Sequence, residues 1–275
     1  MNKVKIIDKI IPTEDLKDIN RIYIGNDYCE KNLNKSKIIS FIEYYKNQKA
    51  ITLLLPFMTN FGIKLLADIL GEGVVSELES FEIVFNDWGT FYYLRKYYPI
   101  INLVVGRLLT KQRKDPRIDN TLKKQDTPVD VFDVLVDYQD KTKTMRKYQE
   151  IPNSLIDLYY RHSLETPDII NFLLENNVHR IEIDNLVWKM ISEIPAEIKV
   201  SLYYPYILMS VTRYCGLLHG KYNNVCNKDC LENKIINLEE GFCVKGNAVY
   251  FKNEKMPAGI DLKTNNIDRI IYQTL

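Results

Sequence analysis

The sequence predicts an α/β fold of the TIM-barrel type, a (β/α) barrel in which parallel strands alternate with helices. Short β-branched or apolar runs alternate with segments of helical periodicity along much of the chain. One run, Ala50–Phe57, is apolar throughout, as strands are when helices cover both faces of their sheet. Polar residues follow several of these runs, where a barrel has its C-terminal rim. Whether all eight βα units are present, or the barrel is incomplete, stays open at this point.

Bulk properties favour one domain over residues 1–275. A chain of 275 residues with 46% hydrophobic residues can bury a sizeable core. The formal net charge of +1 gives no attraction to duplex DNA or an anionic membrane. No stretch reaches the ~18 apolar residues of a membrane span, and the N-terminus lacks a signal peptide's apolar region. We therefore expect a cytoplasmic protein, whose cysteines are metal ligands or core residues and not disulfides.

The first half of the chain alternates regularly. The expected strands are Arg21–Gly25, Ala50–Phe57, Phe81–Phe85 and Ile101–Val105, and the helices between them are Ser36–Gln48, Phe61–Leu70 and Gly89–Tyr97. The first helix places Ile38, Ile39, Ile42 and Tyr45 on one side. Gly71 and Pro99 end the second and third helices.

The second half is less regular. Residues 115–149 are polar and charged, with one weak strand-like run at Val129–Val136, so we expect an excursion from the barrel core. Beyond it we expect a helix at Pro167–Asn176, strands at His179–Ile183, Glu197–Tyr204 and Arg269–Tyr272, and a β-hairpin over Phe242–Phe251 that turns at Gly246-Asn247.

Polar residues at the predicted strand ends suggest a substrate pocket at the rim. They are Asn26-Asp27, Asn86-Asp87, Arg107 and Asp184-Asn185, with Lys111, Asp115 and Arg117 nearby in sequence. Asp87 and Arg107 are the candidate catalytic residues, since an arginine fork suits a carboxylate ligand. The alternative is that Arg107 pairs with a nearby acid to hold the rim together. Glu182 and Asp184 alternate along one strand and are expected to face the same side.

Cysteines concentrate in the segment Thr212–Cys230, which contains three of the five. Cys226 and Cys230 form a C-x3-C pair, Cys215 precedes them, and Cys29 follows the strand that ends at Gly25. Four such thiolates suit either an iron–sulfur cluster or a structural zinc ion. The fifth cysteine, Cys243, lies in an apolar run and is expected to be a core residue.

This cysteine pattern resembles the collagenase-like unassigned peptidase family thirty-two, particularly its short UbiV-like members. Other matching motifs follow in the same order: Asn86-Asp87-Trp88-Gly89, Gly106-Arg107-Leu108-Leu109, Lys111-Gln112 and Asp115-Pro116-Arg117. The resemblance implies a barrel-like fold and a 4Fe-4S cluster on Cys29, Cys215, Cys226 and Cys230. It also implies oxygen-independent hydroxylation of a biosynthetic or RNA substrate, working beside a second protein of the same family.

Two other functions remain open. The resemblance also implies collagenase-like peptidase activity, although the sequence has three histidines, no H-x-x-H or H-E-x-x-H motif and no G-x-S-x-G elbow. The other alternative is a non-catalytic partner protein that folds around its cluster. A structural zinc ion remains the alternative cofactor.

Overall fold

The computed structural model describes residues 1–116, 134–138, 141–145, 161–187, 194–213 and 235–275, and also residues 215, 226, 228 and 230. The strands are β1 (Asn2–Ile7), β2 (Arg21–Gly25), β3 (Ala50–Leu54), β4 (Glu82–Phe85), β5 (Asn102–Val105), β6 (Val134–Tyr138), β7 (Lys141–Met145), β8 (Arg180–Asp184), β9 (Lys199–Tyr204), β10 (Tyr206–Val211), β11 (Ile235–Asn237), β12 (Phe242–Lys245), β13 (Ala248–Lys252) and β14 (Ile267–Tyr272). The helices are α1 (Lys35–Tyr45), α2 (Asn60–Leu70), α3 (Gly73–Ser76), α4 (Trp88–Tyr97), α5 (Arg107–Thr110), α6 (Pro167–Glu175) and α7 (Gly259–Thr264).

Eight parallel strands close into a barrel in the order β1-β14-β9-β8-β5-β4-β3-β2, so the predicted α/β barrel is confirmed and its strands form a complete ring. The strand that closes the ring, β1, was not predicted. Its sequence, NKVKII, alternates lysines with aliphatic residues and has no glycine or turn signal at either end. It pairs with β14 on one side and β2 on the other, which places Val4 in the barrel interior.

The barrel buries two apolar layers. Between strands and helices lies the main core, which includes Ile22, Ile42, Leu53 and Phe91. Inside the ring lies a smaller lumen core of Val4, Tyr23, Leu54, Val84, Val104, Tyr203 and Ile271. Successive residues of a strand face opposite sides, so each apolar strand supplies both layers.

Two smaller sheets lie outside the ring. Strands β6 and β7 form an antiparallel pair within the expected excursion, and β6 begins near the end of the predicted Val129–Val136 run. Strands β10, β13, β12 and β11 form an antiparallel sheet in that order. The predicted hairpin over Phe242–Phe251 is confirmed as β12 and β13, and Gly246 adopts a positive φ of 62° at its turn.

Within the described residues, none of the helices combines the length and apolarity that a membrane span requires.

The antiparallel sheet lies against the C-terminal end of the barrel. The Leu208 amide of β10 donates a 3.0 Å hydrogen bond to Asp184 at the end of β8. At the hairpin turn, Asn247 Nδ2 donates 2.7 Å to the carbonyl of Tyr28, which follows β2. The sheet therefore contacts the rim where the predicted site residues were expected.

Candidate functional site

The loop that carries Cys29 has a fixed shape. Gly25 ends β2 with a φ of 110°, and a Cβ there would lie 2.3 Å from the Leu54 carbonyl oxygen, so the chain needs glycine to leave the barrel at this point. Asn26 Oδ1 then accepts hydrogen bonds from the amides of Tyr28, at 3.1 Å, and Cys29, at 2.7 Å. This short turn presents Cys29 at the C-terminal rim of the barrel.

Cys29 lies near two of the cysteines that were predicted to join it. Cys29 packs against the buried apolar cluster that contains Cys230. Burial raises the pKa of the Cys29 thiol, and the neighbouring Cys230 and Cys226 raise it further. The amides of Lys31 and Asn32 oppose this rise in pKa, because they donate hydrogen bonds to the Cys29 sulfur. The fold therefore gathers thiols that lie about two hundred positions apart in sequence.

Asn32 links this loop directly to the cysteine segment. Its Nδ2 lies 3.3 Å from Cys230 Sγ, across 198 sequence positions, and also 3.3 Å from the Tyr28 hydroxyl. Its Oδ1 is buried and has no hydrogen-bond partner within the described residues. N–H donors directed at cysteine sulfur are a common means of stabilising a ligating thiolate.

The fourth predicted ligand is Cys215, which precedes Cys226 in the cysteine segment. Cys215 and Cys226 are half-buried, and residues 214, 216–225, 227, 229 and 231–234 around them lie outside the described residues. In the described part of the chain, no group of three or more histidine, cysteine, aspartate or glutamate side chains is arranged to hold a metal ion. The donor chemistry of Cys29, Cys226 and Cys230 fits a thiolate-bound group, whereas convergence of all four sulfurs stays a prediction.

Cys243 has the environment expected of a core residue. It is 6% exposed on β12 and packs in the cluster with Leu208, Ala248 and Tyr250. Burial raises the pKa of its thiol, which keeps it protonated at neutral pH.

Arg107 crosses the mouth of the barrel and is fully buried. Its Nε donates 2.8 Å to Asp27 Oδ2, and its Nη1 donates 2.8 Å to Asp184 Oδ1. Nη1 also donates 3.0 Å to the Tyr206 carbonyl, and Nη2 donates 2.9 Å to Gln273 Oε1. One guanidinium thereby joins residues that follow or end β2, β5, β8 and β14, together with the first residue of β10.

Aromatic rings and a second cation complete this network. The guanidinium carbon lies 3.7 Å from the Tyr203 ring centroid and 5.8 Å from that of Tyr250. Burial alone would lower the pKa of Arg107, but the adjacent Asp27 and Asp184 carboxylates raise it above its ordinary value. Lys114 donates one hydrogen bond to Asp184 Oδ2 and another, of 2.8 Å, to the Leu208 carbonyl. Burial lowers the pKa of Lys114, and Asp184 opposes that effect.

These contacts correspond to the structural alternative for Arg107. Every nitrogen of its guanidinium has a partner, and none of its surface is exposed. The sequence indicates an acidic partner for Arg107, but its contacts with Asp27, Gln273 and Tyr203 were not predicted. Each of these residues follows a barrel strand or lies near its end, and this position was the feature of the sequence that could have placed them at the rim. Lys114 had no such signal, because it reaches Asp184 from beyond α5.

Asn86 and Asp87 also brace the rim. Asn86 is fully buried, donates 2.7 Å to the Leu55 carbonyl and accepts 3.1 Å from the Leu108 amide. Asp87 is the N-cap of α4 and accepts hydrogen bonds from the Thr90 amide at 2.7 Å and the Met58 amide at 3.1 Å. The motif match at these positions therefore coincides with helix capping and loop bracing.

Replacing Asp87 with alanine should lower the free energy of unfolding by about 1–2 kcal/mol, because α4 loses its cap and the Met58 amide its acceptor. Urea titration followed by circular dichroism measures this loss. Asp87→Asn, which keeps an acceptor oxygen, should restore most of it. Equal losses in both variants would argue against capping as the reason for this residue.

The remaining predicted rim residues are dispersed. Asn185 Nδ2 donates a 2.9 Å hydrogen bond to the Lys255 carbonyl, Lys111 is exposed with a φ of 46°, and Asp115 interacts with another residue. Arg117 lies outside the described residues. Glu182 and Asp184 do face the same side, the first inside the lumen and the second at its mouth.

A cavity of about 340 Å³ opens at the C-terminal rim close to Cys29, but its lining differs from the predicted one. Of the strand-end residues that suggested a rim pocket, Asn26 and Asp27 line the cavity, whereas Asn86, Asp87, Arg107, Asp184 and Asn185 do not. Their side chains are used in the bonds described above. The cavity lies instead beside the ends of β1, β2 and β14.

Comparison with known proteins adds no further assignment: no family model, curated protein or solved structure matches the chain.

Proposed function

We propose that the chain is an iron–sulfur protein whose 4Fe-4S cluster is held by Cys29, Cys215, Cys226 and Cys230 at the barrel rim. The observation that carries the proposal is the meeting of Cys29 and Cys230, with an Asn32 amide hydrogen directed at Cys230 Sγ at 3.3 Å. When bound, such a cluster supplies one-electron transfer. The chain's part is to bury the thiolates, donate hydrogen bonds to sulfur and limit the access of water.

Within this proposal, the activity that the motifs favour is oxygen-independent hydroxylation of a biosynthetic or RNA substrate, as in UbiV-type factors. A second protein of the same family would act as partner. The lack of an H-x-x-H, H-E-x-x-H or G-x-S-x-G motif in the sequence supports this activity over a peptidase. One of the three histidines, His162, is buried, and burial lowers its pKa to about 4, which makes it a poor general base at neutral pH.

Anaerobic purification of the full chain tests the cluster. We expect about four iron and four sulfide ions per chain, together with visible absorbance. Cys29→Ser and Cys230→Ser should each lose most of the iron, because each removes a thiolate. Cys243→Ala is the matched control. It should keep its iron and lose about 1 kcal/mol of stability through reduced burial.

Three results would contradict the proposal. They are zinc with no iron, full iron content in Cys29→Ser, and iron loss in Cys243→Ser as complete as in Cys230→Ser. Zinc would favour a structural metal site. A further test asks whether the chain needs a partner. If the iron-loaded chain turns over substrate only after a co-purified protein is added, it is one component of a two-protein enzyme.

A further inference from the structure

The cavity at the C-terminal rim has the build of a small-molecule site. Its volume of about 340 Å³ lies within the range of roughly 300–1,000 Å³ typical of ligand pockets. It is bounded by the ends of β1 and β2, by α1, by Lys245 of β12 and by the segment after β14. The cavity lies between the barrel and the four-stranded antiparallel sheet, so residues from distant parts of the chain line it.

One side of the cavity is apolar. Ile7 and Ile24 come from β1 and β2, and Ile38 and Phe41 come from the facing side of α1. All four are at most 4% exposed, so their side chains are packed and their shape is largely fixed. A surface of this kind suits an aliphatic or aromatic body.

Another side carries hydrogen-bond donors that have not been used. Lys245 is 9% exposed, and within the described residues its ammonium has neither a hydrogen-bond acceptor nor an acidic partner. Gln273 gives its Oε1 to Arg107, which leaves its amide nitrogen available beside the cavity. An ammonium without a partner in the wall of a cavity can pair with an incoming carboxylate.

The other charged groups at the cavity leave a positive balance. Lys5, Lys9 and Lys37 line its outer part, where Asp8 is the exposed acid. Asp27 also lines the cavity, but Arg107 neutralises it through a 2.7 Å ion pair. An incoming anion therefore meets lysines at the opening and a single ammonium inside.

We propose that this cavity binds a small molecule with one carboxylate on an apolar body. The carboxylate would pair with Lys245 and accept from Gln273, and the body would lie against Ile24, Ile38 and Phe41. The single ammonium inside the cavity matches one negative charge, whereas a doubly charged phosphate would leave charge uncompensated there. The inference does not depend on the metal centre, because none of the four cysteines lines the cavity.

Calorimetric titration of the full chain, purified anaerobically in reducing buffer with whatever metal it retains, tests the site. The probes are acetate, butanoate, hexanoate, neutral hexanamide and inorganic phosphate. We expect affinity to rise about fourfold per methylene from acetate to hexanoate, as apolar surface is buried. Hexanamide should bind on the order of tenfold more weakly than hexanoate, because it lacks the charge-assisted bond.

Variants of Lys245 then test whether its ammonium binds the carboxylate. Lys245→Met should weaken hexanoate binding on the order of tenfold, and Lys245→Arg should retain it. Lys252→Met is the matched control, since Lys252 lies in the same sheet but outside the cavity lining. Equal binding of hexanamide and hexanoate by the wild-type protein would overturn the proposal whatever the variants' stability. No dependence on chain length, or tighter binding of phosphate than of hexanoate, would also overturn it.

Discussion

Replacing Arg107 with leucine is expected to destabilise the folded protein by about 3–5 kcal/mol. The leucine would leave the carboxylates of Asp27 and Asp184 buried at 1% and 0% exposure without their shared cation. It would also remove the donors to the Tyr206 carbonyl and to Gln273. Breaking a buried ion pair by deleting one partner costs more than the pair contributes, because the remaining charge stays buried.

Urea unfolding followed by circular dichroism measures this effect. Lys46→Met is the matched control: it removes a 2.6 Å ion pair with the exposed Glu77 and should change stability by no more than about 1 kcal/mol. If Arg107→Leu folded as stably as the wild type and lost only activity, Arg107 would be a substrate-binding residue and not a brace. Loss of folding and of any bound cluster together is the outcome that the geometry favours.

Replacing Glu182 with glutamine should stabilise the protein above neutral pH. Glu182 is fully buried in the barrel lumen, where Tyr203 donates a 2.8 Å hydrogen bond to its Oε2. Its Oε1 has no hydrogen-bond partner within the described residues. Burial raises the pKa of this carboxyl to about 7, although Tyr203 and Arg269 oppose the rise.

The sign of the pH dependence follows from this shift. Between the ordinary pKa of 4.5 and about 7, the folded state holds a proton that the unfolded state has lost, so stability falls as pH rises. Above about pH 7 the loss is complete and amounts to about 3 kcal/mol, at 1.36 kcal/mol per pKa unit. Glutamine mimics the protonated acid and avoids this loss.

The difference between wild type and Glu182→Gln should therefore be small at pH 5 and about 2–3 kcal/mol in favour of the variant at pH 8. Urea titrations at both pH values measure it. Glu77→Gln, at an exposed position, should show no such divergence. A variant that is less stable than wild type at pH 8 would mean that the carboxylate is charged and stabilising in the lumen.

Local patterns in the sequence were sufficient to predict the barrel. Ala50–Phe57 and Phe81–Phe85 are recognisable as strands because their apolar residues must be covered on both faces wherever the chain places them. The hairpin at Gly246-Asn247 and the helix at Gly89–Tyr97 depend on neighbouring residues, and both are found where expected, whereas the capping role of Asp87 was not predicted. The burial of Cys243 followed in the same way from its apolar surroundings.

Local sequence patterns therefore predicted the parallel α/β architecture and the polar residues at the strand ends, whereas the convergence of the four cysteines stays a prediction. Only the tertiary structure reveals that β1 closes the ring, that Arg107 forms ion pairs with Asp27 and Asp184, and that the cavity lies beside Lys245. Arg107 lies 80 positions from Asp27 and 77 from Asp184, and β1 pairs with β14 at the other end of the chain, so no local pattern encodes these contacts. Whether a polar residue at a strand end meets a ligand or another side chain depends on which strands become neighbours when the barrel closes.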